Sequence, residues 1–223
     1  MIFYLTRLTY DRLHVQNYEL LHYEMDDIYP QYDFISSQKR YENWSGIYEW
    51  YAELFYYQGK KYLRVVHLGS MFTLFFSDVD EKFIRSLGIR IRRELLKYYI
   101  AEPEARLGIT QLYRQSYLNF LSRISDKTMI SHYRLKDYEF NKKQEPYTDF
   151  INEKSIDTVR LNKYINSVYM FKEPGNSDKY FHSCDRFSEI LKKSYNVQKS
   201  EKLGVPVHDR IEMTAYEIEV YSG

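Results

Sequence analysis

The sequence predicts an α+β domain: an antiparallel β-meander covered by an amphipathic helix, with a second α/β half and a C-terminal strand. Three apolar, aromatic-rich runs between Trp50 and Ser77 are separated by short turn signals. The next run, about Val79 to Ile100, repeats apolar residues every three or four positions. Only 8 Gly and 5 Pro interrupt the 223 residues, and no Pro/Gly/Ser-rich stretch divides them, so one domain over 1–223 is expected.

Residues 2–6 read as a short strand. Thr6 can cap a helix over 7–14 with Leu8 and Leu13 turned inward. Residues 16–46 are polar, acidic and aromatic, with Asp26-Asp27 and Pro30, and read as an irregular excursion. A loop of that length inside a compact domain points to function. Trp50–Tyr57 and Lys61–His67 flank Gln58-Gly59-Lys60, a hairpin signal. Ser70–Ser77 completes the meander and is nearly all apolar, which predicts a strand that is central or covered on both faces.

Ser77 or Asp78 can cap the following helix. Its Ile84, Leu87, Ile91, Leu95 and Tyr98 share one face, Gly88 weakens it, and Pro103 lies past its end. Tyr117–Ile124 reads as a strand, and Ser125 or Asp126 as the cap of a helix to Tyr138. Residues 141–154 read as a polar linker with Pro146. Ser155 opens a helix to Asn166, and Pro174–Ser177 is a turn. Ser183 or Asp185 caps a helix carrying Phe187, Ile190 and Leu191, and Glu212–Tyr221 alternates as a strand with one wet face.

Composition narrows the function. Lys+Arg number 32 against 31 Asp+Glu, so the chain is not a globally basic nucleic-acid binder. One cysteine, Cys184, allows neither an internal disulfide nor a Cys-rich zinc site and fits a reducing cytoplasm. No basic segment followed by a long apolar run marks a signal peptide, and Arg64, His67 and Asp78 break the most apolar stretch. A cytoplasmic protein with no membrane partner is expected.

Motifs for chemistry are missing. His14 and His22 lie eight apart before Asp26-Asp27, but neither His-x-x-x-His nor His-Glu-x-x-His occurs, and no metal or cofactor is assigned. Glycine is too sparse for a phosphate cradle. No nucleophile elbow is present. Cys184 follows His182 by two, which does not by itself make a Cys–His pair.

Charge segregation is the informative signal. Residues 81–140 carry 12 Lys+Arg and 7 Asp+Glu, a net of +5, whereas residues 1–80 carry 7 and 11, a net of −4. On a helical wheel Lys82, Arg85, Arg90, Arg92, Arg93 and Lys97 oppose the apolar face. With nearby aromatics, Tyr99 and Tyr113 among them, they form the expected binding surface. The plain alternative is a solvated helix face.

The expected function is non-enzymatic: binding of a protein partner, such as a host-defence or toxin–antitoxin component in a bacterial or phage setting. An RNA- or single-stranded-DNA-binding module is the second class. An enzyme with an unrecognised site, for example His67 with a carboxylate, is the third. The acidic N-terminal third can instead neutralise the basic face, within the chain or in a homodimer. If the face is functional, Arg92→Glu abolishes partner binding and spares folding.

The order of motifs resembles a bacterial family known only as domain of unknown function 6933. Its members start with a Leu-Thr-Lys-Lys-Leu-like segment and continue with a Trp-His-Ala-x-Leu-Phe strand and two apolar strands. A helix follows, then a strand, an Asn-rich helix start and a late Leu-Asn segment. Here the counterparts are Leu5-Thr6-Arg7, Trp50–Phe55, the strands to Ser77, the helix from Val79, Ser125–Asp137, Leu161-Asn162 and the helix around Phe187–Leu191. The resemblance spans about residues 1–192. Tyr51 stands where relatives often carry His, which argues against catalysis at that position, and the 16–46 excursion is longer than theirs. The family implies no established activity.

Overall fold

The computed structural model describes residues 1–14, 47–114, 120–123, 130, 132–135, 140, 142–144, 146–173 and 176–203. The expected excursion 16–46, most of the 125–138 helix and the strand 212–221 lie outside the described residues.

Strands β1 (Ile2–Leu5), β2 (Glu49–Tyr57), β3 (Lys60–His67), β4 (Thr73–Ser77) and β5 (Phe120–Arg123) form one sheet in the order β4-β3-β2-β1-β5. The meander β2-β3-β4 is antiparallel as expected. β1 enters parallel between β2 and β5, which makes the sheet mixed. Parallel neighbours need crossovers, and that pairing has no local signal in the sequence.

The hairpin between β2 and β3 turns on Gln58 (φ 48°) and Gly59 (φ 74°), with Tyr57 paired to Lys60. Two central residues at positive φ make a primed turn whose twist suits a two-residue hairpin. No atom lies within 4 Å of a Cβ placed on Gly59, so its requirement is conformational rather than steric. Gly59→Ala should therefore cost about 1 kcal/mol. Gln58→Asn should move stability slightly the other way, because Asn tolerates that region better. Thermal melts of the two variants check both signs.

Helix α1 (Arg7–Arg12) is capped by Thr6, whose hydroxyl accepts from Thr9 N at 3.3 Å. Thr9 Oγ1 accepts in turn from Leu54 N at 2.6 Å, fixing α1 to β2. Leu8 does not point inward: it is 45% exposed, and Thr9 and Leu13 are the buried positions.

The single helix expected over 79–100 is two, α2 (Glu81–Arg85) and α3 (Leu87–Tyr98), capped not by Ser77 or Asp78 but by Asp80, which accepts from Phe83 N at 2.7 Å. The break falls at Ser86, not Gly88, and the Ser86 hydroxyl donates to Phe83 O at 3.1 Å. Pro103 does not merely follow a helix. It opens α4 (Pro103–Leu112), where its missing N–H costs nothing because first-turn donors have no helical acceptor.

In the second half, α5 (Thr158–Ser167) starts three residues after Ser155 because Asp157 caps it, accepting from Arg160 N at 3.1 Å. β6 (Met170–Glu173) and β7 (Asn176–His182) pair as an antiparallel ribbon that brackets the predicted turn, and α6 (Ser183–Leu203) follows. The stretch 141–154 is not a linker. Tyr147, Phe150 and Ile151 are buried against a cluster containing Phe55, Phe75 and Phe140.

Alternation along β2 sorts its side chains by face. Trp50, Ala52 and Leu54 join Phe3, Leu5, Leu63 and Val65 under α2, α3, α4 and α6, where Ile84, Leu87, Ile91, Leu95 and Phe187 complete the main core. Burying each large side chain there is worth about 1.5–3 kcal/mol. Tyr51 and Glu53 face the other way, and so does Phe55, which packs beneath α5 and the 140–156 segment.

β4 is an edge strand, not a central one, but it is covered. Asn162 and Asn166, one turn apart on α5, lie along its backbone. Asn162 accepts from Phe75 N (2.7 Å) and donates to Phe75 O (3.1 Å). Asn166 accepts from Thr73 N (2.8 Å) and donates to Thr73 O (2.7 Å). Each side-chain amide replaces one peptide group of a missing strand, so the edge is closed to further pairing.

Candidate functional site

Two surfaces carry the polar and charged groups of interest: the outer side of α2 and α3, and a cleft on the opposite face of the sheet.

On α3 the buried residues are Leu87, Gly88, Ile91 and Leu95, which turns Arg90, Arg93 and Lys97 to solvent. Lys82 and Arg85 are exposed on α2. Lys82 and Arg93 have no ion-pair or hydrogen-bond partner among the described residues. Arg90 is held in place, its Nε donating to Ser86 Oγ at 2.9 Å and its guanidinium lying 4.2 Å from the centre of the Phe83 ring. Lys97 pairs with Glu94 at 2.8 Å, an exposed contact worth little. Among these cations Ile89 is 41% exposed.

Three of the expected contact residues lie elsewhere. Arg92 sits on the flank of α3, half-buried, with Nε shielded from solvent. Arg92→Glu would therefore disturb packing, and Arg93 is the position that tests the surface. Tyr99 and Tyr113 are both 1% exposed and belong to the main core. The Tyr99 hydroxyl donates to Cys184 O at 2.8 Å, and that of Tyr113 donates to Ile47 O. Burial pushes both phenols well above their ordinary range, so they are neutral donors, Tyr99 tying the end of α3 to the start of α6 and Tyr113 tying the end of α4 to the turn before β2. A tyrosine with a wet tip and a tyrosine with a buried carbonyl partner look alike in sequence.

The cleft was not legible. It has a volume of about 620 Å³ and opens beside the end of β1, the start of α1 and the outer half of β2. Glu53 lies at its floor, 5% exposed. Glu53 Oε2 accepts from Leu135 N at 2.8 Å and from the Tyr51 hydroxyl at 3.3 Å, with Arg64 Nη1 4.0 Å away. Oε1 has no hydrogen-bond partner among the described residues. Burial pushes the Glu53 carboxyl above the ordinary carboxylate range, opposed by Arg64, the Leu135 amide, Arg134 and Tyr51. Arg64, buried on β3 opposite Glu53, donates from Nη1 to Tyr133 O at 2.5 Å. Leu8, Tyr56 and Ile130 supply apolar wall, and Arg7, Asp11 and Arg134 the charged rim. The sequence signal is faint: a Glu and an Arg on adjacent strands, with a tyrosine two residues before the Glu.

His67 is not a member of this site. It is fully buried on the helical side between Trp50 and Phe187, with Nδ1 2.8 Å from Ser70 Oγ. Cys184 is half-buried, and burial beside Asp185 pushes its thiol up to about 11, far from a reactive thiolate. The His182 ring is turned to Tyr169 O, at 3.4 Å. His14 pairs with Glu81 at 3.3 Å, while His22 and Asp26-Asp27 lie outside the described residues. Among the described residues no three His, Cys, Asp or Glu side chains gather as a metal site would require, and no helix is long and apolar enough to cross a membrane.

The architecture is that of an α+β domain whose mixed sheet carries α2, α3, α4 and α6 on one face and α5 with a polar cleft on the other. The chain belongs to the family described as Domain of unknown function (DUF6933), whose model matches residues 24–186, well over half of the 223. The match is narrower than the expected 1–192. It takes in the meander, α2, α3, Glu53, Arg64 and the α5 asparagines, and leaves β1 and α1 outside. No curated protein matches the chain.

Proposed function

We propose that the protein is a non-enzymatic binding protein that engages an acidic protein partner through the outer face of α2 and α3. The supporting observation is the exposed Ile89 set among Lys82, Arg85, Arg90 and Arg93. An apolar centre within a charged rim is the anatomy of a protein interface, and arginine is enriched at such sites. The burial of Tyr99 and Tyr113 takes two of the expected stacking rings away from the surface, which favours a protein over RNA or single-stranded DNA. A host-defence or toxin–antitoxin component with an acidic surface is the partner class this reading puts first.

The test uses Lys82→Glu/Arg93→Glu, both on exposed positions. Fluorescence anisotropy with a labelled polyglutamate peptide should show binding that weakens by about tenfold or more in the double variant and falls with added salt, while the melting temperature is unchanged. An oligothymidylate of equal charge serves as the nucleic-acid arm. Preference for the oligonucleotide, or equal peptide binding by the double variant, contradicts the proposal.

A further inference from the structure

We propose that the cleft above Glu53 is a site for a free α-amino acid with an apolar side chain, its ammonium on Glu53 Oε1, its carboxylate on Arg134 and its side chain against Leu8, Tyr56 and Ile130.

Glu53 lines the cleft; its Oε2 is engaged by the Leu135 amide and the Tyr51 hydroxyl, whereas its Oε1 has no hydrogen-bond partner among the described residues. An acceptor on the wall of a cleft that no protein donor meets is open to a donor on a ligand. A carboxylate oxygen takes donors, and an ammonium is the strongest small donor available.

The rim selects the second group. Arg7 is committed to Asp11 at 3.6 Å. Arg134 is exposed, makes no hydrogen bond or ion pair with another side chain among the described residues, and lies near enough to Glu53 to oppose the effect of burial on its carboxyl. A neighbouring carboxylate and guanidinium match the two charges of an α-amino acid, which sit on adjacent carbons. A simple cation would face Arg64 and Arg134, and a polyanion would find one uncommitted arginine and Glu53.

The walls select the third group. Leu8 and Tyr56, 45% and 44% exposed, offer apolar surface beside the Glu53 carboxyl. An apolar side chain laid against them and Ile130 would remove that surface from water. The cleft volume lies within the range of small-molecule sites. This inference is independent of the α2–α3 surface.

Saturation-transfer NMR and calorimetry with L-phenylalanine test it on the full chain. Two part-ligands accompany it: L-phenylalaninamide, which lacks the carboxylate, and 3-phenylpropionate, which lacks the amine. L-phenylalanine should bind, and each part-ligand should bind about tenfold more weakly or worse. Glu53→Gln, which keeps an acceptor for Leu135 N but presents an amide to the cleft, should lose binding by a similar factor. Arg134→Ala, on an exposed residue, should do so with an unchanged melt and guards against a folding defect in the first variant. Tight binding of the amide with loss of the propionate would instead place a peptide N-terminus in the site and overturn the free amino acid. No binding of L-phenylalanine up to roughly ten millimolar, or equal binding by Arg134→Ala, also overturns the proposal.

Discussion

Arg64→Ala should destabilise the protein by about 3–5 kcal/mol, the cost of breaking one partner out of a buried charge pair. Arg64 and Glu53 are 6% and 5% exposed and face each other across β2 and β3. Removing the guanidinium leaves the Glu53 carboxylate buried with less compensation and takes away the Arg64 bond to Tyr133 O. The effect is also pH-dependent. Glu53 has a folded-state pKa raised by burial, so the folded chain holds its proton longer than the unfolded chain does. That group's contribution is therefore most favourable below the ordinary carboxylate pKa and is lost as pH rises through the raised value. Without Arg64 the value rises further. Denaturant titrations should accordingly give a larger Arg64→Ala penalty at pH 8 than at pH 5. A penalty that is flat with pH, or below about 1 kcal/mol, would show that the pair is not coupled as described.

Asn166→Ala is expected to cost about 3–4 kcal/mol. Thr73 is fully buried, and both of its backbone groups are satisfied by the Asn166 side chain. Asn166 also accepts from Ser183 Oγ at 2.8 Å and donates to Asn162 O at 2.8 Å, so one amide joins α5, β4 and the start of α6. Each buried group left unmet costs about 1–3 kcal/mol, and an alanine cavity admits water only in part. Asn166→Asp should not rescue, because it keeps the acceptor, loses both donated bonds and adds a charge. Asn162→Ala should cost less, since that residue is only partly buried, but it opens the edge at Phe75. Chemical denaturation ranks the three variants, and light scattering reports whether the uncovered edge associates.

What could be read from the sequence followed from period and local chemistry. The meander, the Gln58-Gly59 turn, the Thr6 cap and the apolar face of α3 each depend on residues within one or two turns of one another. The helix opened by Pro103 is not legible because a proline reads equally as a stop and as a first-turn residue, and the split at Ser86 falls inside an unbroken apolar period, where a serine gives no distinct stop signal. The parallel insertion of β1 joins residues 47 and 118 positions apart and the asparagine cover of β4 joins residues 87 and 93 apart, and no local pattern encodes either. Exposure failed for aromatics in particular: Tyr99 and Tyr113 hide their hydroxyls on backbone carbonyls, while Tyr56 on β2 stands half in water. The cleft was invisible for the same reason, since Glu53 and Arg64 gain their character only when two strands and the 133–135 segment enclose them.

The α2–α3 surface is the centre of the functional account, and a pull-down from bacterial lysate treated with nuclease tests it most directly. The wild-type chain and Glu53→Gln should retain an acidic protein stoichiometrically after nuclease, and Lys82→Glu/Arg93→Glu should lose it. Equal retention by the double variant, or a captured species that disappears with nuclease, would contradict it.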